Sequence, residues 1–307
     1  MAGRCLVVVC AALCIVGASA QQTTAPEATY NFTVGFNPAT LSTTFINYTD
    51  GSTPLRGFLA YKNTTSAARP GVLIVPDWDG IGPYEQWRAK QLAELGYVAF
   101  VADIFGADVQ QGPFLPTANR SALTGYFGRN IDVFRERMSV GLDQLRNVSA
   151  TSKNQLAAIG YCFGGAGVLE LMRSWPNRVD GLRGVMPFHG VPITARGSNA
   201  TLGNPIRIVQ ALGANDNGFS LPALGTFIAE MTAANVTWEL DLYGQTAHAF
   251  TEPFLVGAAA SSGSAYNEVA DERSWLSLRG FLMDLFGAAN AANPYTAPVM
   301  EPALASV

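Results

Sequence analysis

Around residue 160 the chain passes from one kind of secondary structure to another with almost no room between. Gln155 to Gly160 is a short apolar run suited to a buried strand, and Gly164 to Met172 has helix-forming composition with apolar positions at helical spacing. Only Tyr161-Cys162-Phe163 separates them. Gly160-Tyr161-Cys162-Phe163-Gly164 is the G-x-S-x-G nucleophile elbow with sulfur in place of oxygen. Such a turn forces its central residue into a strained backbone conformation. Glycines two residues to either side are demanded because the crossing strand and helix meet where a Cβ would clash. The turn also sets the thiol at a helix N-terminus, which favours thiolate, and aims the Phe163 amide at a developing oxyanion.

The rest of the chain makes that cysteine unusual. Arg4, the apolar run Leu6 to Val16 and the small residues Ala18-Ser19-Ala20 read as a signal peptide over 1–20, and no later run has the apolar length to span a bilayer. N-x-[ST] acceptors begin at Asn31, Asn47, Asn63, Asn119, Asn147, Asn199 and Asn235, more than chance supplies, so export with surface glycans is expected. Glycans would also aid solubility, since only 14% of residues are charged against about 25% in ordinary soluble chains. Cys5, Cys10 and Cys14 leave with the signal peptide, and Cys162 alone remains, with no partner for an internal disulfide. Its plainer readings are a small buried hydrophobe or an intermolecular bridge. The elbow argues for a nucleophile instead.

Strand-like runs near Leu55–Tyr61, Gly71–Pro76, Val98–Asp103, Gln155–Gly160, Leu182–Phe188, Ile206–Leu212 and Val236–Tyr243 alternate with helical patterns. The helical stretches are Tyr84–Leu95, Ile131–Leu145, Pro222–Ala234 and Tyr266–Phe286. This alternation predicts an α/β domain, a mostly parallel sheet with helices on both faces, over 41–287. A Thr-rich lead at 21–40 and a tail at 288–307, rich in Ala, Asn and Pro, are expected to be loose. A net charge of −4 with no basic stripe excludes nucleic acid as a partner.

A cysteine nucleophile needs a base, and there are only two histidines, His189 and His248. His248 follows the last strand-like run and precedes the last helix, the place of the base in the order nucleophile, acid, histidine. His189 is better suited to binding a backbone group or lining the pocket. Asp216, in the turn after Ile206–Leu212, stands where a carboxylate would orient the imidazole, although turn aspartates are common. Amides in the loop Pro76-Asp77-Trp78-Asp79-Gly80 would complete an oxyanion hole. Two histidines and one cysteine offer few ligands at recognisable spacing, so neither a metal nor another cofactor is expected.

Taken together, Gly160-Tyr161-Cys162-Phe163-Gly164-Gly165, Val75-Pro76-Asp77-Trp78-Asp79-Gly80, Ala102-Asp103-Ile104-Phe105-Gly106, the Asp216 turn and Ala247-His248-Ala249-Phe250 resemble the dienelactone hydrolase family, over roughly Leu41 to Phe286. The resemblance implies an α/β-hydrolase fold, a Cys162–His248–Asp216 triad and an oxyanion hole from the amides of Phe163 and Trp78. It also implies that Asp77 stands at a family position, often glutamate, whose carboxylate contacts the resting thiol. Glu252 occupies the position where bacterial relatives acting on dienelactone carry an arginine that grips the substrate carboxylate. The expected activity is hydrolysis of a small ester, lactone or thioester through an acyl-cysteine, in a pocket that includes Glu252 and His189. The competing expectation is a secreted binding protein on the same scaffold.

Overall fold

A computed structural model describes residues 26–32, 36–37, 39–174, 179–191, 207–257, 260 and 263–287. The expected signal peptide, the expected tail at 288–307 and Asn199 lie outside the described residues. Eight strands form one sheet: β1 (Leu41–Asp50), β2 (Thr53–Lys62), β3 (Arg69–Val75), β4 (Val98–Val101), β5 (Thr151–Tyr161), β6 (Leu182–Phe188), β7 (Arg207–Gly213) and β8 (Trp238–Tyr243). Their spatial order is β1-β2-β4-β3-β5-β6-β7-β8. The β1–β2 and β2–β4 pairs are antiparallel and every later pair is parallel. This is the mostly parallel α/β sheet that the alternation predicts, in the α/β-hydrolase architecture that the resemblance implies.

Alternation along β3 shows how the sheet is covered. Leu73 and Val75 face one apolar layer with Phe134, Met138, Val168 and Phe227, while Val72 and Ile74 face another with Trp87, Leu92, Trp275 and Phe281. The first layer comes from helices α4 (Ile131–Asn147), α5 (Phe163–Arg173) and α6 (Leu221–Ala233), and the second from α2 (Pro83–Glu94) and α7 (Glu268–Phe286). Buried on both faces, the central strands read as nearly continuous apolar runs.

Three elements depart from the expectation. β1 pairs with β2 along its whole length, from Leu41↔Lys62 to Asp50↔Thr53. A helix α3 (Thr117–Arg129) precedes α4. Residues of the lead are held in place too: α1 (Pro26–Thr29) is followed by Phe32, whose ring lies against Trp87 at 5.6 Å and Phe254 at 6.2 Å. The aromatic contact outweighs the polar composition that made this stretch read as loose.

The elbow sets the closest tolerances in the molecule. Cys162 has φ 51° and ψ −114°, outside the regions open to ordinary L-residues. A Cβ on Gly160 would lie 2.1 Å from the Gly164 carbonyl oxygen, and one on Gly164 would lie 2.1 Å from the Val75 carbonyl oxygen. Both obstacles are backbone that β3 and β5 hold in register at Val75↔Gly160. Gly164→Ala is therefore expected to cost more than ~3 kcal/mol or to abolish folding, as severe overpacking does. Gly225→Ala, on the exposed face of α6 with nothing within 4 Å of the new methyl, should be neutral or stabilising. Urea midpoints of the two variants test the contrast.

Candidate active site

The groups singled out in the sequence emerge at the carboxyl ends of successive parallel strands. Asp77 and Trp78 follow β3, Cys162 follows β5, His189 follows β6, Asp216 follows β7 and His248 follows β8. This end of a parallel sheet is where loops are free to converge. Backbone bonds hold the His248 loop to the Asp216 turn: the N–H groups of Ala214 and Asn215 donate to the carbonyls of Tyr243 and Thr246 at 2.8 and 2.9 Å. The His248 N–H in turn donates to the Gly263 carbonyl at 3.0 Å.

The outcome is a linear array. Cys162 Sγ lies 2.9 Å from His248 Nε2, and His248 Nδ1 lies 2.6 Å from Asp216 Oδ2. The other oxygen of Asp216 accepts from the Gly218 N–H at 2.7 Å, which fixes the carboxylate plane. Asp216 is buried, and Cys162 is a half-buried free thiol. Phe163 opens α5, and its ring stacks on Phe134 at 4.5 Å, holding the first turn of that helix behind the sulfur.

His189 occupies a different place. It is fully buried and absent from the cavity walls. Its Nδ1 accepts from the Cys162 N–H at 3.1 Å, so Nε2 carries the proton and donates to Thr251 Oγ1 at 2.8 Å. Thr251 Oγ1 meets the Tyr84 hydroxyl at 2.6 Å, and Arg88 donates to that hydroxyl, to the Thr251 carbonyl and to Asp271. Burial, the neighbouring His248 and Arg88 all push the His189 ring well below its ordinary pKa, and it stays neutral. Of the two roles open to it, His189 takes the backbone one: it braces the elbow from beneath, in place of lining the pocket.

A cavity of about 450 Å³ opens over the sulfur. Its walls include Cys162, His248, Trp78, Asp77, Asp79, Glu252, Glu27 and Arg120. Glu252, 6% exposed, thus faces the pocket. Asp77 turns one oxygen to the Asp79 N–H at 2.9 Å. Asp77, Asp79 and Glu85 bring ligating oxygens within 4.8 Å of one another. Asp79, Glu27 and Arg120 were not legible as site residues. Arg120 sits on α3, which has no apolar stripe, Glu27 in the polar lead, and Asp79 beside Asp77 in the loop after β3.

Burial governs the thiol. Burial pushes Cys162 up, His248 pulls it down, and the charges of Asp77 and Glu252 add to the rise. Desolvation thus opposes the expected helix-terminus preference for thiolate. For His248, burial favours the neutral ring, but the Cys162 sulfur and the Asp216 carboxylate outweigh it and hold the pKa up at about 11. The surroundings therefore retain protons on the sulfur–imidazole pair. Burial and Asp77 likewise push Glu27 up to about 7, against the opposing Tyr84 N–H and Arg120.

Residues 55–286 match the model of the dienelactone hydrolase family. A probable 2-oxo-3-(5-oxofuran-2-ylidene)propanoate lactonase of Bradyrhizobium is 25% identical over 224 residues, covering 71% of this chain and 85% of that one. An uncharacterized protein of Caenorhabditis elegans is 32% identical over 152 residues, 50% of this chain and 94% of that one. Among solved structures, a dienelactone hydrolase-like promiscuous phosphotriesterase from metagenomic libraries superimposes with a TM-score of 0.74 at 29% identity, covering 81% of this chain and all of that one.

The Glu27 shift yields a signed expectation. With a folded pKa near 7 against an ordinary 4.5, Glu27 costs the fold nothing below pH 4.5. The penalty grows as the pH rises toward 7 and is complete above it. Glu27→Gln keeps an acceptor for the Tyr84 N–H and removes the charge. It should raise the urea midpoint at pH 8, by up to ~3 kcal/mol of stability, and leave it nearly unchanged at pH 4.5.

Proposed function

Since this chain belongs to the dienelactone hydrolase family, we propose that it is a secreted, glycosylated hydrolase that cleaves a small carboxylic ester, lactone or thioester through Cys162. Membership of the family and the lactonase relative make it an ester or lactone hydrolase. The observation that carries the cysteine mechanism is the array of Sγ, imidazole and carboxylate, 2.9 and 2.6 Å apart, on a strained elbow.

The reactive form of the sulfur–imidazole pair holds a single proton: as the substrate carbonyl enters, that proton settles on His248 Nε2 and the sulfur bonds to the carbonyl carbon. The C=O electron pair moves onto oxygen, where the backbone N–H groups of Phe163 and Trp78 would stabilise it. Collapse expels the alcohol or thiol, which takes the proton from His248 and leaves an acyl-cysteine. In a lactone the leaving oxygen stays tethered to the acyl chain. Water then gives a proton to His248, attacks the acyl carbon and releases the acid, and the sulfur recovers its proton. Asp216 holds Nδ1–H throughout and stabilises the imidazolium. Asp77, beside the resting pair, disfavours a bare thiolate until a substrate covers it. These steps use side chains and backbone alone.

Export is supported by the leader-like first twenty residues and by the sequons. The six that fall among the described residues, Asn31, Asn47, Asn63, Asn119, Asn147 and Asn235, are all exposed, which glycan transfer requires. Among the described residues no helix is long and apolar enough to cross a membrane.

Alkylation by iodoacetamide is expected to abolish hydrolysis of chromogenic esters. Its rate should rise at a higher pH than that of a free thiol near ~8.5, since the raised thiol becomes thiolate only above its ordinary range. His248→Ala should lower kcat by at least ~100-fold with the fold intact. Full activity after complete alkylation would refute the nucleophile, whereas no hydrolysis of any ester, lactone or thioester tested would favour the binding-protein reading. For export, protein from a eukaryotic secretory host should begin near Gln21 and lose several glycans on enzymatic deglycosylation. A full-length, unshifted chain would refute that half of the proposal.

A further inference from the structure

The N-terminal stretch carries an acidic residue into the pocket from outside the part of the chain that matches the family. Glu27 is 5% exposed and lines the cavity with Cys162 and His248. Its Oε1 accepts from the Tyr84 N–H at 3.1 Å, in the first turn of α2. Gly82 leaves the space: a Cβ there would lie 2.6 Å from that same oxygen. Phe32 anchors the stretch among Tyr30, Trp87, Tyr84 and Phe254. The helix α1 and its anchor precede residue 55, where the family match begins.

We propose that residues 26–32 form a wall of the Cys162 pocket and that Glu27, with Asp77, Asp79 and Glu252, selects substrates bearing a cationic group close to the scissile carbonyl. This rests on the hydrolase reading and names its substrate class. Four carboxylates line the cavity, and among the described lining residues Arg120 is the one lysine or arginine. Arg120 is already engaged: it binds Asp79 at 3.1 Å and donates to the carbonyls of Leu115 and Pro113. Beside this wall, within 4.8 Å of the Asp77 and Asp79 ligating oxygens, Glu85 is buried with Oε1 lacking any hydrogen-bond partner. Burial and the neighbouring Asp77 and Glu27 hold the Glu85 carboxyl well above its ordinary pKa, the mark of negative charge crowded together without a cation to offset it. Burial and neighbouring carboxylates push the lining carboxyls Asp79 and Glu252 up in the same way, so a substrate ammonium in the cavity offsets that crowding while a substrate carboxylate adds to it.

The test compares the rates at which three methanethiosulfonates of similar size convert the Cys162 thiol to a mixed disulfide with loss of methanesulfinate. One carries an ammonium, one is neutral and one carries a sulfonate. Relative to a small free thiol, the wild-type chain should favour the ammonium reagent over the sulfonate by at least about tenfold, and Glu27→Gln should shrink that ratio by about threefold or more. Phe32→Ala, which releases the wall without altering the charge of the chain, should shrink it in the same direction. Kinetics on a choline ester and its uncharged 3,3-dimethylbutyl isostere should show the same change in the ratio of kcat/KM values. A ratio that both variants leave unchanged overturns the proposal, as does a wild-type preference for the sulfonate. Thiol modification reports on the pocket whether or not turnover passes through Cys162, so a modified but fully active protein refutes the nucleophile while the charge ratio still judges the wall.

Discussion

The rest of the molecule depends on the approach of α5 to the carboxyl end of β3. Gly164 leaves no room for even a methyl group against the Val75 and Pro76 carbonyl oxygens, and Gly160 leaves none against Gly164 itself. Because the contact is backbone on backbone, it cannot be relieved by a change of rotamer. The parallel register of β3, β5 and β6 has to hold it, and two layers of apolar side chains have to hold the register. The strained φ at Cys162 is maintained by that surrounding order and by the N–H that Cys162 donates to both the Phe188 carbonyl and the His189 ring.

Building on that turn, the site separates two histidines that a sequence presents as equals. His248 lies at the pocket between sulfur and carboxylate, and its environment favours charge. His189 lies beneath the elbow among Thr251, Tyr84 and Arg88, and its environment forbids charge. The two rings are only 5.1 Å apart, so their opposite behaviour follows from burial and partners alone. The neutral ring beneath holds the Cys162 N–H, and the chargeable ring beside it lies between the sulfur and the Asp216 carboxylate. Asp103, from another of the recurring motifs, works in the same structural way: its oxygens accept from the Arg56 and Gly106 N–H groups and from Gln111, whose own oxygen accepts from Ile81 in the loop beyond Asp77.

Much of the fold was legible because its central strands and amphipathic helices are buried in regular patterns. What escaped notice was irregularly buried. β1 is an edge strand with no fully buried side chain, so its Thr-rich sequence carries no apolar alternation to detect. α3 buries Phe127 alone and contains two glycines, which leaves no stripe at helical spacing. The order of the lead is hidden for a related reason, since Glu27 and Phe32 are fixed by contacts with α2 and Phe254 that lie more than fifty residues away in the chain.

By itself the sequence determined the elbow, the order of strands and helices, and the candidate set Cys162, Asp216 and His248, because each of these is a local pattern whose spacing has a steric or hydrogen-bonding cause. Only the tertiary structure decided the charge of the site. The acidity around Cys162 comes from Glu27, Asp77, Asp79 and Glu252, drawn from the lead, the loop after β3 and the loop after His248. The resemblance implies Asp77 and Glu252 at the site, but no spacing in the chain reveals that Glu27 and Asp79 join them in one cavity. Desolvation in that cavity, which raises the thiol and opposes charge on the histidine, and the sulfur and carboxylate that nevertheless hold the proton on His248, are properties of what surrounds a group in space and are invisible to a reading of its neighbours in sequence.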